Sequence, residues 1–561
     1  MRCATHDCAR IVRFRITSSA AFLCLFLSMP VVHVAKADSP PVTDWIARYS
    51  GLGNGNEQVT GMAMDDSGNI YVTGYSSGTW WDIATVKYSP AGDQLAAVRY
   101  NGTGGGDDVP QAITVDGNGN VYVTGYTDGN GQYNYDLILI KYNSDLTQQW
   151  FRTYAGQNNV DEDKGTDVAV DPVGNVYVTG YSFEGSFDYV TIKYDTAGVR
   201  KWVATYDGPN HQSDGANGIV VDDDGSVYIT GISPQVTGTN SDVATIKYNT
   251  AGVQQWVRRH NGPANGNDSG IGIALDASGN VCVTGYSTGV GTHTDYATIK
   301  YTNDGGEEWV RTYNSPINSF DSAFQITVDT DANVYVTGQS LQPGTAADYA
   351  TIKYNPAGVE QWVAIYNGPV NGYDEGQALT VDADQNVYVT GYSDGGIGAV
   401  DYDYATIKYD MSGAQKWVAR YDGPGSNIDV AQAVAIDDQG RVVVSGWSTG
   451  TQSNYVDFAT IKYEQDGATS VQHVEPAIIA STAEPNPFSD QTTIRFDLMQ
   501  PSAVDLSVFD VNGRKVRTLL SERLGAGTHT TNLPGLGLAP GVYFYELVIT
   551  GRVESGKLIR R

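Results

Sequence analysis

Three observations predict an all-β chain, an eight-bladed β-propeller of four-stranded blades closed by an N-terminal strand and followed by a small β-sandwich. A Thr-Gly or Ser-Gly pair closes one strand again and again, with its glycine at Gly74, Gly125, Gly180, Gly231, Gly285, Gly338, Gly391 and Gly446, so one unit of 51 to 55 residues recurs eight times. Each unit holds four short runs rich in β-branched and aromatic residues and bounded by Gly, Asn and Asp. The chain begins its repeats with an unaccompanied fourth run and ends them with a unit that lacks one.

Taken in order, residues 1–37 read as a secretory signal. Arg2, Arg10, Arg13 and Arg15 form a basic start, Ala20 to Val34 an apolar stretch broken by Pro30 and His33, and Ala35-Lys36-Ala37 a cleavage motif. Cleavage removes Cys3, Cys8 and Cys24 and leaves Cys282 alone, so no internal disulfide is expected. Cys282 takes the place of a Tyr found in most sister repeats and reads as a small core residue. No transmembrane segment is expected after cleavage.

Residues 43–467 form the repeat region. In the copy around Gly391 the runs are 378–381, 386–390, 404–409 and 415–421, and the Asp-x-x-Gly-Asn spacer after the first suits a tight hairpin. Four antiparallel strands repeated radially protect their own edges, which is propeller logic. Trp45-Ile46-Ala47-Arg48-Tyr49 matches a fourth run, and the last unit stops at Ile461-Lys462-Tyr463. The N-terminal strand is therefore expected to complete the last blade.

Residues 468–483 read as a linker and 484–561 as a C-terminal β-sandwich, with strands expected at 492–498, 504–510, 515–520, 541–549 and 556–560. This last block carries nine bases and eight acids, so the net charge of −29 belongs to the repeats.

Asn-Val-Tyr-Val-Thr-Gly-Tyr-Ser, Asp-Tyr-Ala-Thr-Ile-Lys-Tyr and Trp-Val-x-x-Tyr-Asn-Gly-Pro resemble bacterial β-propeller (SBBP) repeats, a family named for seven blades where this chain shows eight units. Asn486-Pro487-Phe488, the run 508–514, Gly541-Val542-Tyr543-Phe544-Tyr545 and the basic end from Lys557 resemble a type IX secretion sorting domain, and equally the immunoglobulin-like module of flagellar hook-capping proteins. The terminal position favours sorting. The resemblance implies type IX machinery as a partner, and a secreted or surface-attached product.

The excess of 63 acids over 34 bases argues against nucleic acid, whose phosphates need clustered Lys and Arg. Eight acids recur at one position, eight residues before the Asp that ends the first run: Glu57, Asp108, Asp163, Asp214, Asp268, Asp321, Asp374 and Asp429. They admit a cation reading, with Ca2+ at the channel mouth, and a structural one, each acid fixing its own Asn-Gly-Pro loop. A feature of every blade is more economically explained by the blade's construction. Lys87, Lys141, Lys193, Lys247, Lys300, Lys353, Lys408 and Lys462 recur in the third run, five residues after an Asp (Asp82 to Asp457) that an odd offset turns to the opposite face. Each Lys is expected to meet an acid elsewhere.

No Gly-x-Ser-x-Gly elbow, phosphate loop or spaced His/Cys cluster appears, and the Asp222-Asp223-Asp224-Gly225 turn lacks EF-hand spacing. The loops between second and third runs vary, and carry Trp80, Trp81, Tyr133, Tyr135, Phe183, Phe187, His293, Tyr402 and Tyr455. Varied aromatic loops on a rigid scaffold suit sugar rings or protein surfaces. Three functions stay open: a non-enzymatic binder of polysaccharide or protein, a polysaccharide hydrolase or lyase with channel-mouth acids, and a structural surface component.

Overall fold

The computed structural model describes residues 40–561 except 52–54, 129–133, 157–161, 210, 236–239, 397–400, 426, 451–454, 466–477, 499–501, 512–513, 525–526 and 550–551. The signal segment and Tyr133 lie outside the described residues. Within them every regular element is a β-strand.

The described residues of the repeat region form eight four-stranded antiparallel sheets. Blades 1 to 8 are numbered here by their first strands, Glu57–Met64, Asp108–Val115, Asp163–Val170, Gly215–Val221, Ser269–Leu275, Asp321–Val328, Asp374–Val381 and Asp429–Ile436. These strands lie side by side from blade to blade, and that of blade 8 lies against that of blade 1. The fourth place in blade 8 belongs to Val42–Tyr49, antiparallel to Val456–Glu464 with Trp45 opposite Lys462.

Packing between blades follows from strand alternation. Tyr122, Leu137 and Leu139 of blade 2 bury against Val176, Val178 and Ile192 of blade 3, and Val443 and Phe458 of blade 8 bury against Ile70 and Val72 of blade 1. Outer strands are tied to the next blade by indole N–H groups, as Trp202 Nε1 donates to Thr250 O at 3.0 Å. Gly252 beside it has φ 77°, and a Cβ there would lie 2.6 Å from the indole, so both the turn and the close approach require glycine.

The hairpin joining first to second strand is held by its Asp. Asp116 accepts N–H bonds from Asn118 and Asn120 at 2.9 Å, the Asn120 side-chain amide at 2.8 Å and the Tyr122 hydroxyl at 3.0 Å. Asp222 does the same with Asp224 N, Ser226 N and Tyr228 Oη, so the Asp222–Gly225 run is a turn.

Lys87, Lys141, Lys193, Lys247 and Lys353 correct the expectation that each lysine meets an acid. Among the described ion pairs only Lys300–Asp276 (2.9 Å) and Lys462–Asp437 (2.8 Å) are of that kind. In the other blades the second-strand Tyr hydroxyl already occupies the turn Asp. The Lys ammonium then lies over that Tyr ring, 4.9 Å from the centroid for Lys193 over Tyr177 and for Lys247 over Tyr228. Several also donate onward, as Lys87 Nζ does to Ser144 O at 2.8 Å. Blades 5 and 8 have Cys282 and Val443 where the others have Tyr, so there Lys reaches the acid directly.

The C-terminal region departs from expectation in two strands. Ile478–Glu484, which lies in the expected linker but for its last residue, pairs with Gln491–Leu498, which pairs on its other side with Gly527–Pro534. A second sheet holds Ser502–Asp510, Lys515–Leu524, Gly541–Ile549 and Arg552–Arg560. The two sheets share one core of Phe488, Ile494, Phe496, Leu506, Val508, Leu533, Tyr545, Leu547 and Leu558. Gly527–Pro534 was hidden because only Leu533 among its residues is large and apolar; its pairing supplies the rest.

Candidate ligand-binding face

The recurring acids sit at the start of each first strand, opposite a Ser or Thr of the second: Glu57 faces Ser76, Asp108 Thr127, Asp163 Ser182, Asp321 Ser340, Asp374 Ser393 and Asp429 Ser448. All eight, Asp214 and Asp268 included, are buried. Each of six accepts the N–H of a glycine in its preceding loop: Gly102 to Asp108 and Gly262 to Asp268 at 2.6 Å, Gly208 to Asp214 at 2.7 Å, Gly156 to Asp163 and Gly368 to Asp374 at 2.8 Å, and Gly423 to Asp429 at 2.6 Å. Ser315 N does this for Asp321 at 2.8 Å. The acids thus act as loop anchors. Burial pushes the carboxyls of Glu57, Asp163, Asp214, Asp321 and Asp374 upward, and those of Asp108 and Asp429 to about 6, against the opposing pull of the Ser, Thr and backbone donors.

A second charge layer lies outward. Arg48, Arg99, Arg259 and Arg420 of the fourth strands pair with the third-strand acids Asp457 (3.0 Å), Asp82 (2.7 Å), Asp242 (3.0 Å) and Asp403 (2.7 Å). Arg259 and Arg420 also reach the Tyr206 and Tyr366 hydroxyls of the preceding blade. Blades 2, 3, 5 and 6 have Thr153, Thr205, Thr312 and Ile365 at the Arg position. There burial pushes Asp136, Asp188 and Asp348 to about 6 and Asp295 upward.

The aromatic candidates gather at this end in pairs. Tyr75 stacks on Trp81 at 4.8 Å, Tyr126 meets Tyr135 at 4.9 Å, Tyr181 meets Phe187 at 5.2 Å, Phe183 meets Phe187 at 5.2 Å and Tyr392 meets Tyr402 at 4.9 Å. Trp80 and Trp81 are each 42% exposed and Tyr455 45%. His293 stacks on Phe320 at 4.3 Å. Phe320 and Tyr373, both exposed, escaped sequence reasoning because they sit in blade-to-blade connections, immediately before Asp321 and Asp374. The second-strand partners Tyr75, Tyr126, Tyr181 and Tyr392 were missed because they belong to the repeat itself.

Between blades 3 and 4 lies a pocket of about 280 Å³, bounded by Glu162, Tyr181, Phe187, Asp214, Gly215 and Ile232 among others. Beside it Asp188, Asp207 and Asp214 bring carboxylate oxygens within 4.8 Å of one another, and Asp403, Asp422 and Asp429 repeat that grouping between blades 7 and 8. His211 hydrogen-bonds Asp207 and is exposed. Cys282 is fully buried, and burial raises its thiol to about 12, which removes it as a nucleophile.

Radial four-stranded sheets with a two-sheet terminal domain define a β-propeller-repeat protein with an appended sandwich. Residues 44–79, 98–132, 149–188 and 361–398 match the beta-propeller repeat family (SBBP), and residues 484–561 match the secretion system C-terminal sorting domain (Por_Secre_tail). The chain therefore carries β-propeller repeats and a type IX sorting domain, and is a secreted or outer-cell-surface protein. That domain implies the type IX secretion machinery as a partner. No helix of the described residues is long and apolar enough to cross a membrane.

An uncharacterised WD repeat-containing protein of Acanthamoeba polyphaga mimivirus is 25% identical over 412 residues, which cover 64% of this chain but only 25% of that relative. The structure of Sqt1 from Chaetomium thermophilum aligns at 9% identity and TM-score 0.45, covering 76% of this chain and 99% of that one. PorZ, described as an essential surface component of the type-IX secretion system of Porphyromonas gingivalis, aligns at 11% identity and TM-score 0.31, covering 90% and 81%.

Proposed function

We propose that the protein is a non-enzymatic binder that holds an extracellular polysaccharide on its aromatic loop face. The adjacent indoles of Trp80 and Trp81 carry this reading, each 42% exposed, with Trp81 stacked on Tyr75. Large apolar rings kept in water at a loop tip favour use over drift, and flat faces flanked by Asn, Asp and Ser suit the C–H faces and hydroxyls of sugar rings. The buried acids, each engaged by its own loop, support a scaffold role for that ring.

The test is a glycan array with purified full-length protein, with calcium and with chelator, beside a Trp80→Ala/Trp81→Ala variant. Selective binding that falls about tenfold or more in the variant supports the loop face. Calcium dependence revives a cation role for the acid ring. Absence of binding in all conditions defeats the glycan reading and favours a protein partner or a structural surface role.

A hydrolase is the second reading, favoured by the Asp188, Asp207 and Asp214 cluster beside the Tyr181–Phe187 pair. A carboxyl held near 6 by burial, as at Asp188, is the kind a glycosidase uses as general acid. Shortened oligosaccharides after incubation with wild type, and none with Asp188→Asn, would move the assignment to an enzyme.

A further inference from the structure

We infer that the notch between blades 3 and 4 receives the free ammonium of an amino-sugar unit, an inference that rests on the polysaccharide reading above. A precedent stands one blade earlier. There Lys164, the second residue of its first strand, reaches back to blade 2 and places its ammonium 4.5 Å from the Tyr126 ring centroid and 4.8 Å from that of Tyr135. The protein thus fills one aromatic slot with its own primary ammonium, steadied by Glu162 at 3.4 Å.

The same slot in the next blade has the same aromatic walls, Tyr181 and Phe187, with ring centroids 5.2 Å apart. The residue equivalent to Lys164 is Gly215, and the second-strand residue opposite it is Ile232 instead of Tyr. With no side chain at Gly215 the slot is open, and this is where the pocket of about 280 Å³ lies. That volume falls just below the range of ligand pockets, which begins at about 300 Å³, and suits one sugar ring.

Its charge selects a cation. Glu162, which it shares with Lys164, and Asp214 both line it, and Asp214 is buried. Asp188 and Asp207 stand beside Asp214. The Arg259 guanidinium of blade 4 is engaged by Asp242, Ser233 and Tyr206. An ammonium between aromatic faces gains cation–π attraction as well as carboxylate pairing. An amino sugar adds an apolar ring face for Tyr181, Phe187 and Ile232, which a slim lysyl chain would leave partly uncovered.

The decisive variant is Gly215→Lys, which supplies the blade 4 notch with the internal ammonium that blade 3 already has. A Cβ at Gly215 meets only Ile232 Cγ1 at 3.9 Å, an ordinary contact, so the fold tolerates it. Calorimetric titration of the full-length protein would compare a glucosamine hexamer, its N-acetylated counterpart and hexalysine. The free-amine hexamer is expected to bind about tenfold more tightly than the acetylated one. Gly215→Lys should abolish that preference and Gly215→Ala keep it, with unchanged melting in both. Equal affinity for the two hexamers, a preference that survives Gly215→Lys, or tight binding of hexalysine alone would overturn the inference. Trp80→Ala/Trp81→Ala reports separately: neutral-glycan binding lost there with no amine preference anywhere sinks only the notch, whereas an amine preference with indifferent tryptophans sinks only the broader loop-face reading.

Discussion

Carboxylates stand at both ends of the blades, and in blades 1, 5 and 8 the two ends treat them in opposite ways. At the hairpin end burial alone would raise the carboxyls of Asp65, Asp276 and Asp437, yet donors outweigh it and hold all three below the ordinary range. Those donors are Asn69 and Tyr71 for Asp65, Lys300 and Asn280 for Asp276, and Lys462 and Arg441 for Asp437. At the loop end burial prevails, and Asp108, Asp136, Asp188, Asp348 and Asp429 are pushed to about 6. The same residue type therefore serves cohesion at one end and stores under-compensated negative charge at the other. Under-compensated buried charge of this kind is a cost in stability.

The hairpin end breaks most readily where compensation rests on one cation. Lys300 and Asp276 are both buried, and blade 5 has Cys282 in place of the Tyr whose hydroxyl would share the load. Lys300→Met should cost about 3–5 kcal/mol, since it strands a buried carboxylate. Lys87→Met, where Tyr71 already donates to Asp65, should cost only about 1 kcal/mol. Urea denaturation midpoints check both. Adding Cys282→Tyr to Lys300→Met should recover about 1 kcal/mol by restoring the hydroxyl; equal midpoints for Lys300→Met and Lys87→Met would defeat the contrast.

Titration sharpens it next. A carboxyl at about 6 when folded and about 3.9 when unfolded binds protons more tightly in the folded state, so stability rises as pH falls from above 6 towards 4. The carboxyls of Asp65, Asp276 and Asp437 run the other way. Their contribution is present above the ordinary carboxylate pKa and is lost only as pH falls through their depressed values. The melting temperature should therefore be about 3 °C higher near pH 5 than near pH 7.5 and fall again below about pH 4. A melting temperature that declines steadily from pH 7.5 downward would contradict the loop-end half of the comparison.

Much of this was legible in the repeat. The four runs, the unpaired strand ending at Tyr49, the buried Cys282 and the acid at the head of each first strand follow from spacing and alternation. The Arg–Asp layer was not seen, although Arg99, Arg259 and Arg420 each lie 17 residues after their Asp. Half the blades lack the Arg, so no eightfold pattern announced it, and Arg48 meets Asp457 only through pairing of the two chain ends. The lysines misled because the partner that displaced the acid, the second-strand Tyr, reads as core. The notch was invisible because it is made by what Gly215 lacks.

That missing Arg gives the finest test of the two ends. Thr153 is exposed and stands opposite Ile138, the register position at which Arg99 stands opposite Ala84 in blade 1. Thr153→Arg should place a guanidinium beside Asp136, as Arg99 sits 2.7 Å from Asp82. The gain is expected to be small, about 0.5–1 kcal/mol, because the pair is partly solvated. Asp403, beside Arg420, shows the limit: burial still holds its carboxyl above the ordinary range. The clearer signal is in the slope. Between about pH 5 and pH 7 the variant should lose less stability than wild type, since the cation opposes the upward shift of Asp136. If the two melting curves against pH run parallel, the charge at the loop end does not come from the absent arginines, and burial of the strand ends alone sets it.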